Sequence, residues 1–312
     1  MHVQNFNERK KNTIIVVVGA TAVGKTSLAI QLAQQFKTQI ISADSRQCFK
    51  ELNIGVAKPS DKELNLIKHY FINSHSIFDE VNAGIFERYA LEKADEIFAQ
   101  HKIAVMVGGT GLYVKTFCEG IDEMPEIFKE IRENIITKYN EKGIEWLQKE
   151  LQEKDIEFWK IAEQQNPQRL MRALEILAAT GKSITTFKKL KPVKRDFNII
   201  KIGLQLSKEK LHENINNRVD EMMKAGFLNE VKSLISYRNL NALQTVGYKE
   251  LFDYLDEKIS LDEAINAIKI NTRQYAKRQL TWFKKDKKIE WFNADENALE
   301  KINDFILLKT VE

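Results

Sequence analysis

The sequence predicts an α/β fold in which a parallel sheet carries helices on both faces and an all-helical domain is inserted into the core. Three observations predict it. An apolar run at 13–18 leads directly into the string GATAVGKT at 19–26 and then into an amphipathic stretch at 27–36, the strand, glycine loop and helix order of a P-loop. Further apolar runs alternate with helix-period segments, the pattern of parallel strands covered on both sides. From about 121 to 191 that alternation stops, and only charged segments of helical period remain.

The elements follow in order. Residues 39–43 form a short apolar strand ending at Asp44. Residues 84–100 read as a helix with Phe86, Ala90, Ala94, Ile97 and Phe98 on one side. The run 103–107 ends in Gly108-Gly-Thr-Gly111 and is the third strand, and 197–206 is the fourth. Within the middle segment, Asn166 suits an N-cap and Pro167 the first helical position, with a helix to Ala179 that Thr180-Gly181 stops. Residues 188–195 hold five basic residues and Pro192 and return the chain to the sheet. Ser260 and Glu263 make a capping box that opens a long helix to about Phe283, with Ala264, Ile268, Tyr275 and Trp282 on its buried side. The expected organisation is a P-loop core at 1–120, a helical insertion at 121–196, and a core continuation of one strand and C-terminal helices at 197–312.

Composition narrows the class. The 312 residues are 43% hydrophobic and 29% charged, enough for a large core. No apolar run approaches the roughly 20 residues of a membrane span, and the polar N-terminal stretch 1–12 lacks an apolar signal core. Cys48 and Cys118 are far apart and suit a reducing cytoplasm, and neither the cysteines nor the five histidines have metal-ligand spacing. The net charge is only +4, but 269–288 holds eight basic residues against one acid, Asp286. That stretch is either a solvated helix face or a surface for phosphates.

The glycine loop carries the chemistry. Its glycines allow backbone N–H groups to turn around phosphate oxygens, and the following helix adds positive charge at its N-terminus. Lys25 supplies a cation and Thr26 a hydroxyl for Mg²⁺. Ligands of open α/β sheets sit beyond the carboxyl ends of the strands, so 19–26, 44–47 and 108–111 should converge on one crevice. Asp44 there is a helix cap, a group holding Mg²⁺ through water, or a catalytic carboxylate. Thr110 either makes a tight turn or meets a ligand closely. Arg169 and Arg172, beside Gln168, are either solvated or aimed at a polyanion. The third strand ends in glycines where a nucleotide hydrolase would place an acid for its metal, which weakens an ATPase reading.

Several strings together resemble the tRNA dimethylallyltransferase family: GATAVGKT, ISADSRQ at 41–47 with NIGVAKP at 53–59, VGGTGLYVK at 107–115, NPQRLMRALE at 166–175, VGYKE at 246–250 and TRQYAKRQLTWF at 272–283. They run in order over nearly the whole chain. The resemblance implies transfer of a dimethylallyl group from dimethylallyl diphosphate to the N6 amine of the adenine 3′ to the anticodon. It implies that residues Gly19, Ala20, Thr21, Ala22, Val23, Gly24, Lys25 and Thr26 hold the diphosphate with Mg²⁺ at Thr26, that Arg273 and Arg278 assist, and that Asp44 is the general base. The adenine must leave its stack to reach the crevice. By the same resemblance Asp44, Ser45, Arg46 and Gln47 bind it. Thr110, Arg132 and Gln168, Arg169, Leu170, Met171 and Arg172 contact the anticodon stem-loop of the tRNA.

The chain departs from the family pattern at Ala20 and Val23, where Pro and Ser are usual, at His69-Tyr70 in place of a His pair, and at Cys48-Phe49. No zinc-finger pattern follows the core, as in a stand-alone bacterial form. Such an enzyme is expected to be a cytoplasmic monomer with no membrane partner. Two other functions share the P-loop: a kinase moving phosphate from ATP to a small metabolite, and an RNA-binding protein with a degenerate loop.

Overall fold

The computed structural model describes residues 11–188 and 191–311. The polar stretch read as lacking a signal core lies outside the described residues over 1–10, as do 189–190 of the basic return loop. The chain divides into two compact units, 1–120 with 194–312, and 121–193.

In the first unit the chain runs β1 (Thr13–Gly19), α1 (Lys25–Gln35), β2 (Ile40–Ser42), α2 (Asp61–Leu66), β3 (His69–Tyr70), α3 (Ala83–Phe98), β4 (Ile103–Gly108) and α4 (Gly111–Glu119). The second unit holds α5 (Lys129–Lys154), α6 (Ile156–Trp159) and α7 (Pro167–Thr180). The chain then returns through β5 (Asn198–Gln205), α8 (Lys208–Lys224), α9 (Phe227–Ser233), α10 (Tyr248–Leu255), α11 (Leu261–Phe283), β6 (Ile289–Asn293) and α12 (Ala298–Val311).

The sheet order is β3-β2-β4-β1-β5-β6, and every pairing is parallel. β1 is wholly buried because it lies between β4 and β5 and is covered on both faces. Alternate side chains of a strand point to opposite faces. Ile14, Val16 and Val18 accordingly join the core under α3, α4 and α10, while Ile15 and Val17 join the one under α1 and α12. Register sets the strand ends side by side: Val18 pairs with Gly108, Gly19 with Leu204, and Ser42 with Val107. This alignment brings the loops after β1, β2 and β4 to one edge.

The helix signals read at Asn166, Gly181 and Ser260 act as the sequence predicts, and α3 starts one residue earlier than expected, behind a cap the sequence reading did not name. Asn82 caps α3 by accepting from Ile85 N–H at 3.0 Å. Asn166 caps α7 through Arg169 N–H, and Gly181 ends it with φ +68°. The Ser260–Glu263 box opens α11. One expectation is corrected on α11. Ala264 and Ile268 are buried, but the stripe continues through Ala276, Gln279 and Phe283, leaving Tyr275 half-buried and Trp282 37% exposed.

The second unit has its own core of Ile135, Leu147, Leu151, Phe158, Leu170, Met171, Leu174 and Ile176. α5 is broken at Gly143, where φ is +75°. Among the described residues no helix is long and apolar enough to cross a membrane.

Candidate active site

The loop after β1 has the backbone alternation of a nest. Ala22 and Gly24 take positive φ, +62° and +99°. Such alternation turns successive N–H groups to one side. A non-glycine residue in this region carries backbone strain of the kind found at functional sites. Gly19 is required by packing as well, since a Cβ there would lie 2.6 Å from the Leu204 carbonyl oxygen.

Lys25 opens α1 and is folded back, donating from Nζ to the Ala20 carbonyl at 2.6 Å. Its pKa is lowered to about 7, first by burial and then by the Arg218 charge, against the pull of Asp44. Lys25, Thr26, Asp44, Gln47, Gly109 and Thr21 line one polar crevice together with Arg218, Tyr275 and Gln279. The three loops named from the sequence therefore do converge.

Asp44 is held by its own loop. Its Oδ1 accepts from the N–H groups of Arg46 at 2.9 Å and Gln47 at 3.2 Å, which fixes the carboxylate's orientation at the crevice wall. Thr110 supports the same loop: its Oγ1 accepts from Ser45 N–H at 3.0 Å and donates to Ser45 Oγ at 3.3 Å. Gln47 ties this loop to the next by donating from Nε2 to the Val56 and Ala57 carbonyls at 3.3 and 3.0 Å. The Glu230 carboxylate holds that second loop, accepting from Asn53, Ile54 and Gly55 N–H at 3.2, 2.7 and 3.1 Å.

The polar crevice adjoins a cleft of different character. The two share Thr21, Asp44, Val56, Ala57, Arg218 and Tyr275, and the cleft adds Val219, Met222, Phe227, Val246 and Ile268, with Arg46 on its wall. An anion nest, a fixed carboxylate and an apolar recess thus meet around shared residues. Tyr275 stays protonated there, its pKa pushed up to about 12 by burial and then by Asp44.

Four contributors are given no functional role by the sequence reading, although Tyr275 and Gln279 lie in the family-like string 272–283. Arg218 of α8 donates to Thr21 Oγ1 at 3.3 Å, and burial pushes its pKa down. Asn214, one turn earlier, donates to the Ala22 carbonyl at 3.2 Å. Tyr275 lines both cavities. Gln279 bridges the loops after β1 and β4. Nothing in the charged stretch 208–224 marks Arg218. Gln279 has a signal: it stands on the apolar stripe between Ala276 and Phe283, where a buried amide must find partners.

The expected cations of α11 fall elsewhere. The described lining of the crevice includes neither Arg273, which donates to Asn216 Oδ1 at 3.4 Å, nor Arg278, whose guanidinium stacks 5.8 Å from the Tyr275 ring centre. In the helical unit, Gln168 and Arg169 are exposed and Arg172 is half-buried. Leu170 and Met171 point into that unit's core, so their side chains are packing groups. Arg132 and Arg172 flank the buried Glu175 carboxylate at 3.8 and 3.2 Å. Arg169 pairs with Glu163 at 2.9 Å.

Magnesium chemistry fits these donors. Mg²⁺ prefers hard oxygen ligands and keeps waters when bound beside phosphates. The Thr26 hydroxyl lines the crevice at the nest with Ser42 and Asp44. Among the described residues no group of three or more His, Cys, Asp or Glu side chains could hold a metal by itself.

Comparison with known proteins gives the same direction throughout. The family model described as IPP transferase matches residues 47–286. The chain is 50% identical over 295 residues to a tRNA dimethylallyltransferase of Christiangramia forsetii, covering 95% of this chain and 97% of that one. It is 45% identical over 299 residues to that of Cytophaga hutchinsonii, covering 96% and 98%. Among solved structures it resembles a tRNA isopentenylpyrophosphate transferase from Bacillus halodurans, with TM-score 0.72 and 32% identity over 96% and 97% of the two chains. A eukaryotic dimethylallyltransferase solved acting on tRNA gives TM-score 0.77 and 27% identity over 95% and 80%.

Proposed function

The chain belongs to the IPP transferase family, the tRNA dimethylallyltransferases, and from that premise we propose how its residues do the work. It is a transferase that modifies tRNA, moving a dimethylallyl group to the N6 amine of the adenine 3′ to the anticodon. The donor is dimethylallyl diphosphate. One observation supports this reading most strongly: the anion nest and Asp44 share a crevice that adjoins an apolar cleft. A donor with a charged diphosphate and a five-carbon tail needs both environments.

The diphosphate seats on the N–H groups of 19–26, with Lys25 and Arg218 as its cations. Thr26 is the residue that would hold Mg²⁺ in this crevice, and the ion would supply further neutralisation of the leaving group. The five-carbon group lies toward Val219, Met222 and Phe227. The extruded adenine enters along Asp44, Ser45, Arg46 and Gln47. Its N6 lone pair attacks the allylic carbon, the carbon–oxygen bond breaks, and diphosphate leaves with the electron pair. Asp44 takes the amine proton. Lys25 and Arg218 lower the barrier because negative charge grows on the bridging oxygen beside them in a desolvated site.

Arg218 lines the crevice, where the family resemblance implied Arg273 and Arg278. Those two, on the helix flanking the crevice, add to the positive field around it. Gln168, Arg169, Arg172 and Arg132 of the helical unit contact the anticodon stem-loop, with Thr110 supporting the adenine loop. One chain carries every residue invoked, so a monomer suffices, and the tRNA substrate puts the enzyme in the cytoplasm.

The test is incubation of the purified protein with radiolabelled dimethylallyl diphosphate, Mg²⁺ and unmodified tRNA. Label should enter the RNA as N6-isopentenyladenosine with release of diphosphate. ATP turnover without label transfer would replace this reading with a kinase.

A further inference from the structure

The structure assigns Gln279 the role of a positioning residue that fixes the diphosphate nest against the turn after β4. It rests on the reading of 19–26 as the diphosphate cradle. Gln279 Oε1 accepts from Thr21 N–H at 2.8 Å, and Nε2 donates to the Gly109 carbonyl at 2.9 Å. Only this amide orientation satisfies both partners, since an N–H must face an acceptor and a carbonyl a donor. The side chain is 6% exposed. Both bonds run to backbone atoms far away in sequence, 258 and 170 residues distant.

Thr21 is where these restraints meet. Its N–H is held by Gln279 of α11, and its Oγ1 by Arg218 of α8 at 3.3 Å. A nest loop with Ala22 in the left-handed region has no regular ladder to hold its first half. Gln279 substitutes for that ladder. Gly109 is a glycine for the same reason: a Cβ there would stand 2.2 Å from Gln279 Nε2. The exposed Lys277 and Arg278 sit on the same helix immediately before Gln279.

The test uses Gln279→Glu and Gln279→Leu with two readouts, calorimetric binding of inorganic diphosphate with Mg²⁺ and turnover with dimethylallyl diphosphate and tRNA. Each variant should weaken diphosphate binding about tenfold, the scale of one buried hydrogen bond removed. The donor KM should rise more than kcat falls. Gln279→Glu nearly keeps the shape of the amide, and its protonated form again donates to Gly109 and accepts from Thr21. Its deficit relative to the native protein should shrink as pH falls from 8 to 5, while that of Gln279→Leu should not. The groups facing position 279 are Lys25, Asp44, Arg218 and Tyr275. Lys25 itself titrates inside this window and couples to a carboxyl at 279, so each variant is compared with the native protein at every pH, and Gln279→Leu shows the pH dependence that Lys25 gives without the new carboxyl. Native binding by both variants, or a Gln279→Glu deficit unchanged from pH 8 to 5, overturns the assignment. If Gln279→Leu does not fold, Gln279→Glu carries the test alone. Lys25→Ala separates the premise: native diphosphate binding in that variant would sink the cradle itself, whereas loss there with native Gln279 variants would sink only the role of Gln279.

Discussion

Lys25 Nζ donates to the Ala20 carbonyl at 2.6 Å, so the cation of the nest is parked on its own loop. Its pKa there is lowered to about 7, mainly by burial, then by Arg218. A diphosphate beside Lys25 would favour the charged form and raise that pKa. Binding near pH 8 should therefore take up a proton at Lys25. Calorimetry with Mg²⁺ and diphosphate in two buffers of different ionisation enthalpy should show more proton uptake for the native protein than for Lys25→Arg, whose guanidinium is always charged. Equal uptake by the two proteins would contradict the shift. The sign for stability follows from the same linkage. In the ligand-free fold the depressed pKa means the unfolded chain binds more protons between about pH 7 and the ordinary lysine value of 10.5, so this residue's contribution rises with pH across that window.

Asp44→Asn separates the base from the turn. The asparagine Oδ1 can still accept from the Arg46 and Gln47 N–H groups, so the loop should keep its shape. The proton acceptor is gone. Turnover should fall by about 10²-fold or more, the usual range for a general base, with diphosphate affinity little changed. Single-turnover kinetics beside diphosphate calorimetry measures both. Undiminished turnover would leave Asp44 as a loop cap only.

Much of this site is legible in the sequence because its parts are local. A glycine nest, an aspartate at a strand end and a glycine turn each occupy a few consecutive residues, and parallel topology brings strand ends together. Arg218 and Glu230 are invisible there because their partners, Thr21 and the 53–55 turn, lie far away in the chain and no spacing rule connects them. Periodicity misplaces Trp282 for a related reason. Helical period marks its face, but Gly111 supplies a seat at the protein's edge: its missing Cβ would fall 2.2 Å from the indole Cδ1. The strand β6 is short and half polar, IEWFN, and only pairing with β5 identifies it.

Arg169 and Arg172 are the surface test of the helical unit. Each now pairs with a carboxylate, Glu163 or the buried Glu175, and phosphates would compete for the same guanidinium groups. Replacing both by Ala should weaken tRNA binding and lower the slope of log affinity against log salt by roughly one to two, about one for each phosphate no longer neutralised. Filter binding across a salt series reads the slope. An unaltered slope would remove this helix from the RNA interface.

Gly108 and Gly109 are adjacent, and alanine should harm them in different ways. Neither has positive φ among the described glycines, so space alone decides. A Cβ on Gly108 would lie 2.2 Å from the Ala43 carbonyl oxygen, which is backbone of the neighbouring strand end and cannot step aside. Gly108→Ala should cost about 3 kcal/mol of stability, the upper end of ordinary overpacking. A Cβ on Gly109 meets the far end of the Gln279 side chain, which can swing away. Gly109→Ala should keep most of its thermal stability and lose diphosphate affinity, because the displaced amide releases Thr21 N–H. Denaturant melts set beside diphosphate calorimetry distinguish the two. A Gly109→Ala protein that melts as low as Gly108→Ala yet binds diphosphate normally would show that the bridge supports folding and not the nest.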